Sequence, residues 1–143
     1  MHQLHYLTIQ DVLWVHLQVT NKVETYDYAR LEEAVFYQYA LGDSTGLLPQ
    51  ASRFVTGFIR MHPFEGGNEA TAFLACSAFL RLNGKVLSVE PAKAAVWIAS
   101  AKSSRQSLEA QVADAPADEH LDTRSALGVV LDAYAGALAT VAG

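Results

Sequence analysis

The fold is decided by the stretch Met61-His62-Pro63-Phe64-Glu65-Gly66-Gly67-Asn68-Glu69-Ala70-Thr71-Ala72-Phe73. Proline fixes its own φ and disfavours the helical region for the residue before it, so one helix must end at His62. Two glycines then permit a tight turn, and an asparagine is a favoured cap for the helix that follows. The stretch therefore predicts a helix–loop–helix with the loop at 62–68.

The helix after this loop is apolar nearly all round, which is typical of a buried central helix. Apolar residues elsewhere recur at spacings of three and four, which predicts further helices. The predicted helices run from Thr8 to about Thr20, Asp27 to Leu41, Pro49 to Met61, Asn68 to Asn83, Pro91 to Lys102 and Asp118 to Ala142, with a break near Pro116 and an extended segment from Lys85 to Val89. We therefore expect a single all-α domain over residues 1–143, a bundle around one hydrophobic helix.

The helical spacing also predicts which side chains face the core. The predicted inward residues are Ile9, Val12, Leu13, His16, Leu17 and Thr20; Leu31, Ala34, Val35, Tyr39 and Leu41; Ala51, Phe54, Val55, Phe58 and Ile59; and Leu127, Val130, Leu131, Tyr134 and Leu138. His16 is interpreted as a core or interface histidine and Cys76 as a small buried core residue.

Composition narrows the classes of function. The chain has 143 residues, 51% of them hydrophobic, and a formal net charge of −5. Without a basic stripe, nucleic-acid binding is disfavoured, because phosphate neutralisation dominates that affinity. A single cysteine excludes an internal disulfide, and His2, His5 and His120 lack the spacing of a zinc site. No stretch reaches membrane-spanning length, so we expect a soluble cytoplasmic protein.

The loop itself predicts a chemistry. His62 is a candidate general base, and Phe64 is a candidate anchor that turns into the core. Gly66, Gly67 and Asn68 are the candidate nucleotide-binding residues, because successive N–H groups beside a helix N-terminus form a cradle for anions. A base facing a phosphate cradle suits transfer from a nucleotide to a hydroxyl. The alternative is an ordinary tight turn with a loop histidine and no ligand.

Two further groups of residues are weighed. Arg53 and Arg60 lie seven residues apart on the helix that leads to His62, and we interpret them as solvated, with contact to a ligand phosphate as the alternative. The aromatic set Tyr26, Tyr28, Phe36, Tyr37 and Tyr39 is expected to be partly core, and its outward members could form a partner groove.

The segment His62-Pro63-Phe64-Glu65-Gly66-Gly67-Asn68 resembles the signature of the Fic/Doc family, roughly H-P-F-x-[D/E]-G-N-[G/K]-R. The resemblance extends to Leu7-Thr8 with His16, to Leu31-Glu32-Glu33-Ala34, to Thr71-Ala72 and to Phe79-Leu80-Arg81-Leu82-Asn83-Gly84. It covers residues 7–87 and implies a Doc-like helical protein. Such proteins transfer AMP or phosphate from a nucleotide to a protein hydroxyl, and the Doc toxins are silenced by a partner antitoxin.

Carried over residue by residue, the resemblance makes His62 the general base and Gly67 and Asn68 phosphate contacts. Three positions depart from the signature: Gly66 replaces an acidic magnesium ligand, Glu69 replaces a lysine of Doc-type members, and Ala70 replaces a phosphate-binding arginine. ATP is thus the implied nucleotide, but its binding is expected to be weakened. The missing acid argues against a bound magnesium ion. Glu65, one residue away, could replace it only if the loop register shifts, and no protein metal ligand is predicted.

Two functions remain open at this point. The chain is either a Doc-like toxin-type transferase with impaired or altered activity, or a catalytically inactive helical module that binds a protein. Both imply a protein target or an antitoxin-like partner. Its oligomeric state does not follow from the sequence.

Overall fold

The computed structural model of the chain describes residues 4–103, 112–114, 122–138 and 141. The helices within these residues are α1 (Ile9–Thr20), α2 (Tyr28–Phe36), α3 (Leu47–Met61), α4 (Asn68–Leu82), α5 (Ala94–Ser103) and α6 (Thr123–Leu138). A 3-10 turn at Pro91–Lys93 precedes α5. The strands β1 (Lys85–Leu87) and β2 (Val112–Asp114) pair antiparallel, with Lys85 opposite Asp114. Two three-residue strands leave the predicted all-α class intact, and it is confirmed.

α4 is the centre of the bundle and packs against α3, α6 and α1. Every residue from Asn68 to Leu80 is buried, as the apolar pattern predicted. Four phenylalanines are buried almost completely in the surrounding core: Phe54 and Phe58 from α3, and Phe73 and Phe79 from α4. The predicted inward face of α3 is confirmed, since all five of its residues are buried. The loop 62–67 joins these two best-packed helices, so its ends are fixed.

α1 begins as predicted but is turned about its axis. Thr8 is the N-cap, and its side chain and that of Asp11 form a reciprocal capping box. The buried face includes Val15, whereas the predicted inward Leu17 is 38% exposed. Leu17 was therefore wrongly assigned, because α1 turns His16 and Val15 toward α4 and leaves Leu17 at the edge.

α2 is shorter than predicted. The helix ends at Phe36, and turns replace its expected last residues up to Leu41. The predicted inward Tyr39 and Leu41 are 38% and 59% exposed, so both assignments were wrong. The physical reason lies in Gln38, which is fully buried and bonds the backbone N–H and C=O of Leu7 through its amide. Because this turn directs the Gln38 amide into the core, Tyr39 and Leu41 face solvent instead.

Two helix starts also differ by a short distance. α3 begins at Leu47 rather than Pro49, which is permitted because the first N–H groups of a helix have no intrahelical acceptor. α4 is capped by Gly67 rather than by Asn68, which is the first residue of the helix. The asparagine side chain is used elsewhere in the loop.

The remaining elements cover α4 from the other side. Leu127, Val130, Tyr134 and Leu138 of α6 are buried as predicted, and Leu131 is partly buried. The predicted break near Pro116 and the ends of the last predicted helix lie outside the described residues. Among the helices that the structure describes, none is long and apolar enough to cross a membrane.

Candidate functional site

His62 ends α3 in the left-handed region, with φ of +50°. This backbone conformation is uncommon for a residue other than glycine, and Pro63 contributes to it by excluding the right-handed helical region. The residue is exposed, and its imidazole makes no hydrogen bond to any residue that the structure describes. The predicted base is therefore accessible to a macromolecular substrate.

Asn68 holds the loop in its shape. Its Oδ1 accepts a hydrogen bond of 2.9 Å from the Phe64 N–H, and its Nδ2 donates one of 2.9 Å to the Phe64 carbonyl. Both bonds are buried, and Phe64 is 3% exposed, so the predicted anchor lies in the core. The Asn68 amide, considered in the sequence as a ligand donor, already has both polar atoms engaged within the loop.

The segment just before α2 forms backbone contacts with the loop. Tyr26 forms an isolated antiparallel bridge with Phe64, and the Asp27 N–H donates to the Pro63 carbonyl at 2.9 Å. The segment before α2 therefore supplies backbone hydrogen bonds that the loop cannot make by itself. Backbone groups fixed in this way have little freedom to rearrange.

His16 packs beneath the loop from α1. The residue is 3% exposed, and its ring stacks on Phe64, with ring centroids 3.7 Å apart. Its Nε2 lies 2.9 Å from the Gly66 carbonyl oxygen and 3.0 Å from Oε1 of Glu24. Two acceptors around Nε2 assign the proton to that nitrogen. The expectation of a buried histidine is confirmed, and its partner is the candidate loop.

Gly66 faces a carboxylate from another part of the chain. A Cβ atom at Gly66 would lie 3.9 Å from both carboxylate oxygens of Glu24. The Glu24 side chain is only 9% exposed, and its Oε2 lies 3.6 Å from Nζ of Lys22. Oε1 receives no hydrogen bond, although His16 Nε2 is close, because the imidazole N–H is directed at the Gly66 carbonyl. An acidic group thus lies beside the position where the signature has one.

Two features of the structure show that position 67 must be glycine. Its φ is +73°, and a Cβ atom there would come within 2.8 Å of Cγ2 of Thr20 and 3.4 Å of Cγ1 of Val19. The loop therefore approaches α1 more closely than any other residue type would allow. Among the three predicted nucleotide-binding residues, Gly67 is the one for which the need for glycine is directly visible.

The first turn of α4 carries a buried carboxylate in place of the cations of the signature. The Glu69 side chain is 9% exposed and lies 3.7 Å from Nζ of Lys102 on α5. Ala70 is 2% exposed and supplies no charge at the position of the arginine. A carboxylate near a helix N-terminus is stabilised by the helix dipole, and here the anion belongs to the chain itself.

Two cavities lined by described residues border the loop. One of about 330 Å³ lies between α1 and the segment 22–26, and its walls include Trp14, His16, Glu24 and Phe64. A shallower one of about 360 Å³ is bounded by the segments 25–27 and 63–65. Neither cavity is lined by His62, Gly67 or Asn68.

The residues present do not fit a magnesium–triphosphate site of the implied kind. The described residues contain no group of three His, Cys, Asp or Glu side chains that could hold a metal ion. Glu24 and Glu69, which flank the loop, each lie within 4 Å of a lysine ammonium group that competes with a cation for them, and Glu65 of the loop itself is exposed. Magnesium is usually held by one or two carboxylates together with substrate phosphates. No step is therefore derived through this ion.

The other residues considered in the sequence are two arginines, the aromatic set and two histidines. Arg53 donates to the Tyr39 carbonyl at 2.9 Å and lies over the Tyr37 ring. Arg60 is exposed. The aromatic set is split as expected: Tyr37 is partly buried against the core, while Tyr28 and Phe36 are 57% and 53% exposed. His2 and His120 lie outside the described residues.

Sequence reasoning missed three residues around the loop: Glu24, Lys102 and Tyr26 as a pairing residue. Glu24 is 42 positions from Gly66, and Lys102 is 33 positions from Glu69. No local motif joins such positions, since they meet only through helix packing. Gly66 and Gly67 are the one sequence signal of these contacts. A residue without a side chain often marks a position where another segment of the chain packs closely.

Comparison with known proteins gives one match. A family model described as Fic/DOC family matches residues 1–80. No curated protein and no solved structure matches the chain. The matched residues include α1 to α3, the loop and most of α4.

Proposed function

Since this chain belongs to the Fic/DOC family, we propose that it is a Doc-like protein that transfers AMP or phosphate from a nucleotide to a protein hydroxyl with impaired or altered activity. The single observation that carries the proposal is His62. It is exposed, its imidazole has no hydrogen-bond partner within the described residues, and it stands at φ +50° on a loop whose shape is fixed. A base held in a fixed, open position is what deprotonation of a protein side chain needs.

The proposed reaction needs only the nucleotide and the hydroxyl of the target protein as reactants. His62 takes the proton of a serine or threonine hydroxyl as its oxygen attacks phosphorus. Attack at the α-phosphorus breaks the bond to the β-phosphate and releases pyrophosphate, whereas attack at the γ-phosphorus releases ADP. The N–H groups of the first turn of α4 would stabilise the negative charge on the phosphorus oxygens.

The charges around the loop support impairment. Glu24 and Glu69 are each paired with one lysine, so these four side chains sum to about zero charge. A triphosphate instead favours a cationic site. Each unit charge at about 5 Å contributes roughly 3 kcal/mol before screening, at an effective permittivity near 20. Replacing the Lys-Arg pair of Doc-type members by Glu69 and Ala70 therefore removes much of the attraction for a nucleotide.

The alternative is a catalytically inactive module that binds a protein. It is supported by Asn68, whose amide bonds Phe64 through both polar atoms, and by Glu69, which places an anion at the helix N-terminus. Exposed aromatic side chains on and after α2, namely Tyr28, Phe36 and Tyr39, offer a surface for an antitoxin-like partner or another protein.

The two functions can be separated with labelled ATP. The chain is incubated with cell lysate, magnesium and ATP labelled at either the α- or the γ-phosphate, in parallel with His62→Ala. Transfer of the α-label alone indicates AMP transfer, and transfer of the γ-label indicates phosphate transfer. Label that disappears in His62→Ala supports the enzyme. No transfer, together with no heat of ATP binding in calorimetry, would leave the binding module.

The matched control tests whether the loss of any exposed imidazole has the same effect. His5→Ala removes an exposed histidine far from the loop in sequence and should leave any transfer unchanged. An independent observation concerns the partner: a neighbouring reading frame that encodes a small antitoxin-like protein would support the Doc-like assignment. Co-expression and co-purification of the two chains would then test the contact directly.

A further inference from the structure

The cavity of about 330 Å³ between α1 and the segment 22–26 has a lining with an apolar part and a charged part. The apolar part includes three aromatic rings and three aliphatic side chains: Trp14, Tyr26, Phe64, Leu13, Leu17 and Val23. Cavities that bind small molecules are typically of this kind, with mainly apolar walls and a few polar groups that orient the ligand. The volume and the lining therefore favour a small organic ligand over a single ion.

The charged part of the lining favours an anion. It contains two cations, Lys22 and Arg124, and the carboxylate of Glu24. Because Oε2 of Glu24 lies 3.6 Å from Nζ of Lys22, these two charges largely compensate each other. Nε of Arg124 lies 3.8 Å from Oδ1 of Asp11, beyond hydrogen-bond distance, while Oδ2 of Asp11 accepts the N–H and the hydroxyl of Thr8. The guanidinium is thus only loosely paired with this carboxylate.

Arg124 lies over an aromatic ring that also lines the cavity. Its guanidinium carbon is 4.6 Å from the centroid of the Trp14 ring, within the range of a cation–π contact. The Arg124 side chain is 50% exposed and donates no hydrogen bond to any residue that the structure describes. Its terminal N–H groups are therefore accessible to a carboxylate, which can accept two of them in one plane. A cationic ligand would be repelled at this place, because Arg124 already covers the indole.

We propose that this cavity binds a small aromatic carboxylate, whose ring packs between Trp14 and Tyr26 and whose carboxylate pairs with Arg124. Aromatic pairs contribute about 0.5–1.5 kcal/mol beyond the area that they bury, so the two rings favour an aromatic over an aliphatic chain. The size follows from the volume. A cavity of roughly 150 Å³ holds one benzene molecule, so about twice that space suits a ring with a short acid chain, on the order of eleven heavy atoms. The probe 3-phenylpropionate has this size.

The test follows the two tryptophan indole N–H resonances by ¹H–¹⁵N NMR during titration with 3-phenylpropionate. We expect a saturable shift for Trp14, with millimolar affinity, and none for Trp97, which is buried outside this cavity. The amide 3-phenylpropionamide has the same shape without the charge and should bind at least about tenfold more weakly, because the charge-assisted pair is lost. Hexanoate carries the charge without the ring and should also bind more weakly.

The matched pair of variants removes one arginine inside the cavity and one outside it. Arg124→Gln should weaken binding of 3-phenylpropionate at least about tenfold. Arg53 is the control, because it also lies over an aromatic ring, 5.2 Å from the centroid of Tyr37, but does not line this cavity. Arg53→Gln should leave the affinity unchanged. An unaltered Trp97 resonance in each variant shows that the core is still folded.

A further variant tests the space itself. Leu17 lines the cavity and is 38% exposed, so Leu17→Phe should narrow the space without disturbing the core, and should weaken binding while Arg124 remains. The proposal is overturned if 3-phenylpropionate gives no saturable shift, if its amide or hexanoate binds equally well, or if Arg124→Gln or Leu17→Phe binds as the wild type does. None of these outcomes depends on nucleotide transfer at His62, so the two proposals fail separately.

Discussion

Nε2 of His16 lies 2.9 Å from the carbonyl oxygen of Gly66, although the two residues are 50 positions apart. The same imidazole stacks on Phe64, whose backbone is bonded to Asn68. One side chain from α1 thus contacts the middle of the loop and its aromatic anchor together. The position of His62 therefore depends on α1 as well as on the two helices that the loop connects.

Replacing His16 should separate its two contributions. His16→Phe keeps an aromatic ring against Phe64 but removes the donor to Gly66, and should lower the free energy of unfolding by about 1–2 kcal/mol. His16→Ala removes the packing as well and should cost about 2–4 kcal/mol. Urea denaturation measures both values, and amide hydrogen exchange over residues 64–69 should accelerate. An equal effect of His5→Phe, at an exposed site, would contradict this role.

Gly67→Ala should destabilise the loop more than Gly84→Ala does. Both glycines have positive φ, which costs an alanine about 1–2 kcal/mol. At Gly67 the new methyl group also meets Thr20 Cγ2 at 2.8 Å, whereas nothing lies within 4 Å at Gly84. The clash should add roughly 1–3 kcal/mol. The double variant Gly67→Ala/Thr20→Ser removes the clashing methyl group, and failure to recover part of the loss would refute the steric explanation.

Glu69→Gln should raise the affinity for ATP if the carboxylate opposes the nucleotide. The change removes one negative charge from the first turn of α4 and leaves Lys102 without its counter-ion. We expect about a tenfold lower Kd for ATP in calorimetry, which corresponds to roughly 1.4 kcal/mol. The control is Glu90→Gln, which removes an exposed carboxylate from the Lys93 pair outside the loop. An unchanged Kd in Glu69→Gln would show that this charge does not limit binding.

Cys76 should resist thiol reagents until the chain unfolds. Burial raises the pKa of its thiol from 9.0 to about 12, and Sγ lies 3.5 Å from the Ala51 carbonyl oxygen. At pH 8 the thiolate is then on the order of a thousandfold rarer than in an unfolded chain. Iodoacetamide labelling at pH 8 with and without urea measures this difference, and rapid labelling of the folded chain would contradict it.

The same pKa shift gives a pH dependence of stability. The folded state binds the thiol proton more tightly than the unfolded state, so the stabilisation is fully present below pH 9. It decreases as the pH rises from about 9 toward 12, because the unfolded chain then loses its proton first. Comparison of the wild type with Cys76→Ala in thermal unfolding over this range isolates the contribution.

Much of the fold follows from local features of the sequence. The start of α1 at Thr8, the inward face of α3, the continuous burial of α4 and the helix stop at His62 were all predicted and confirmed. Each depends on residues within four positions of one another or on the rigid ring of Pro63. Errors arose at α2 and α1, where Gln38 and the rotation toward His16 depend on distant partners.

The sequence by itself determined that this chain is a helical bundle around α4 and that His62 stands on a tight loop, because proline, glycine and apolar periodicity act over a few residues. The tertiary structure alone decided what surrounds that loop. It placed Glu24 beside Gly66, Lys102 beside Glu69 and Thr20 against Gly67. Charge and steric fit at a site act over a few ångströms of space, and helix packing, rather than spacing along the chain, sets those distances.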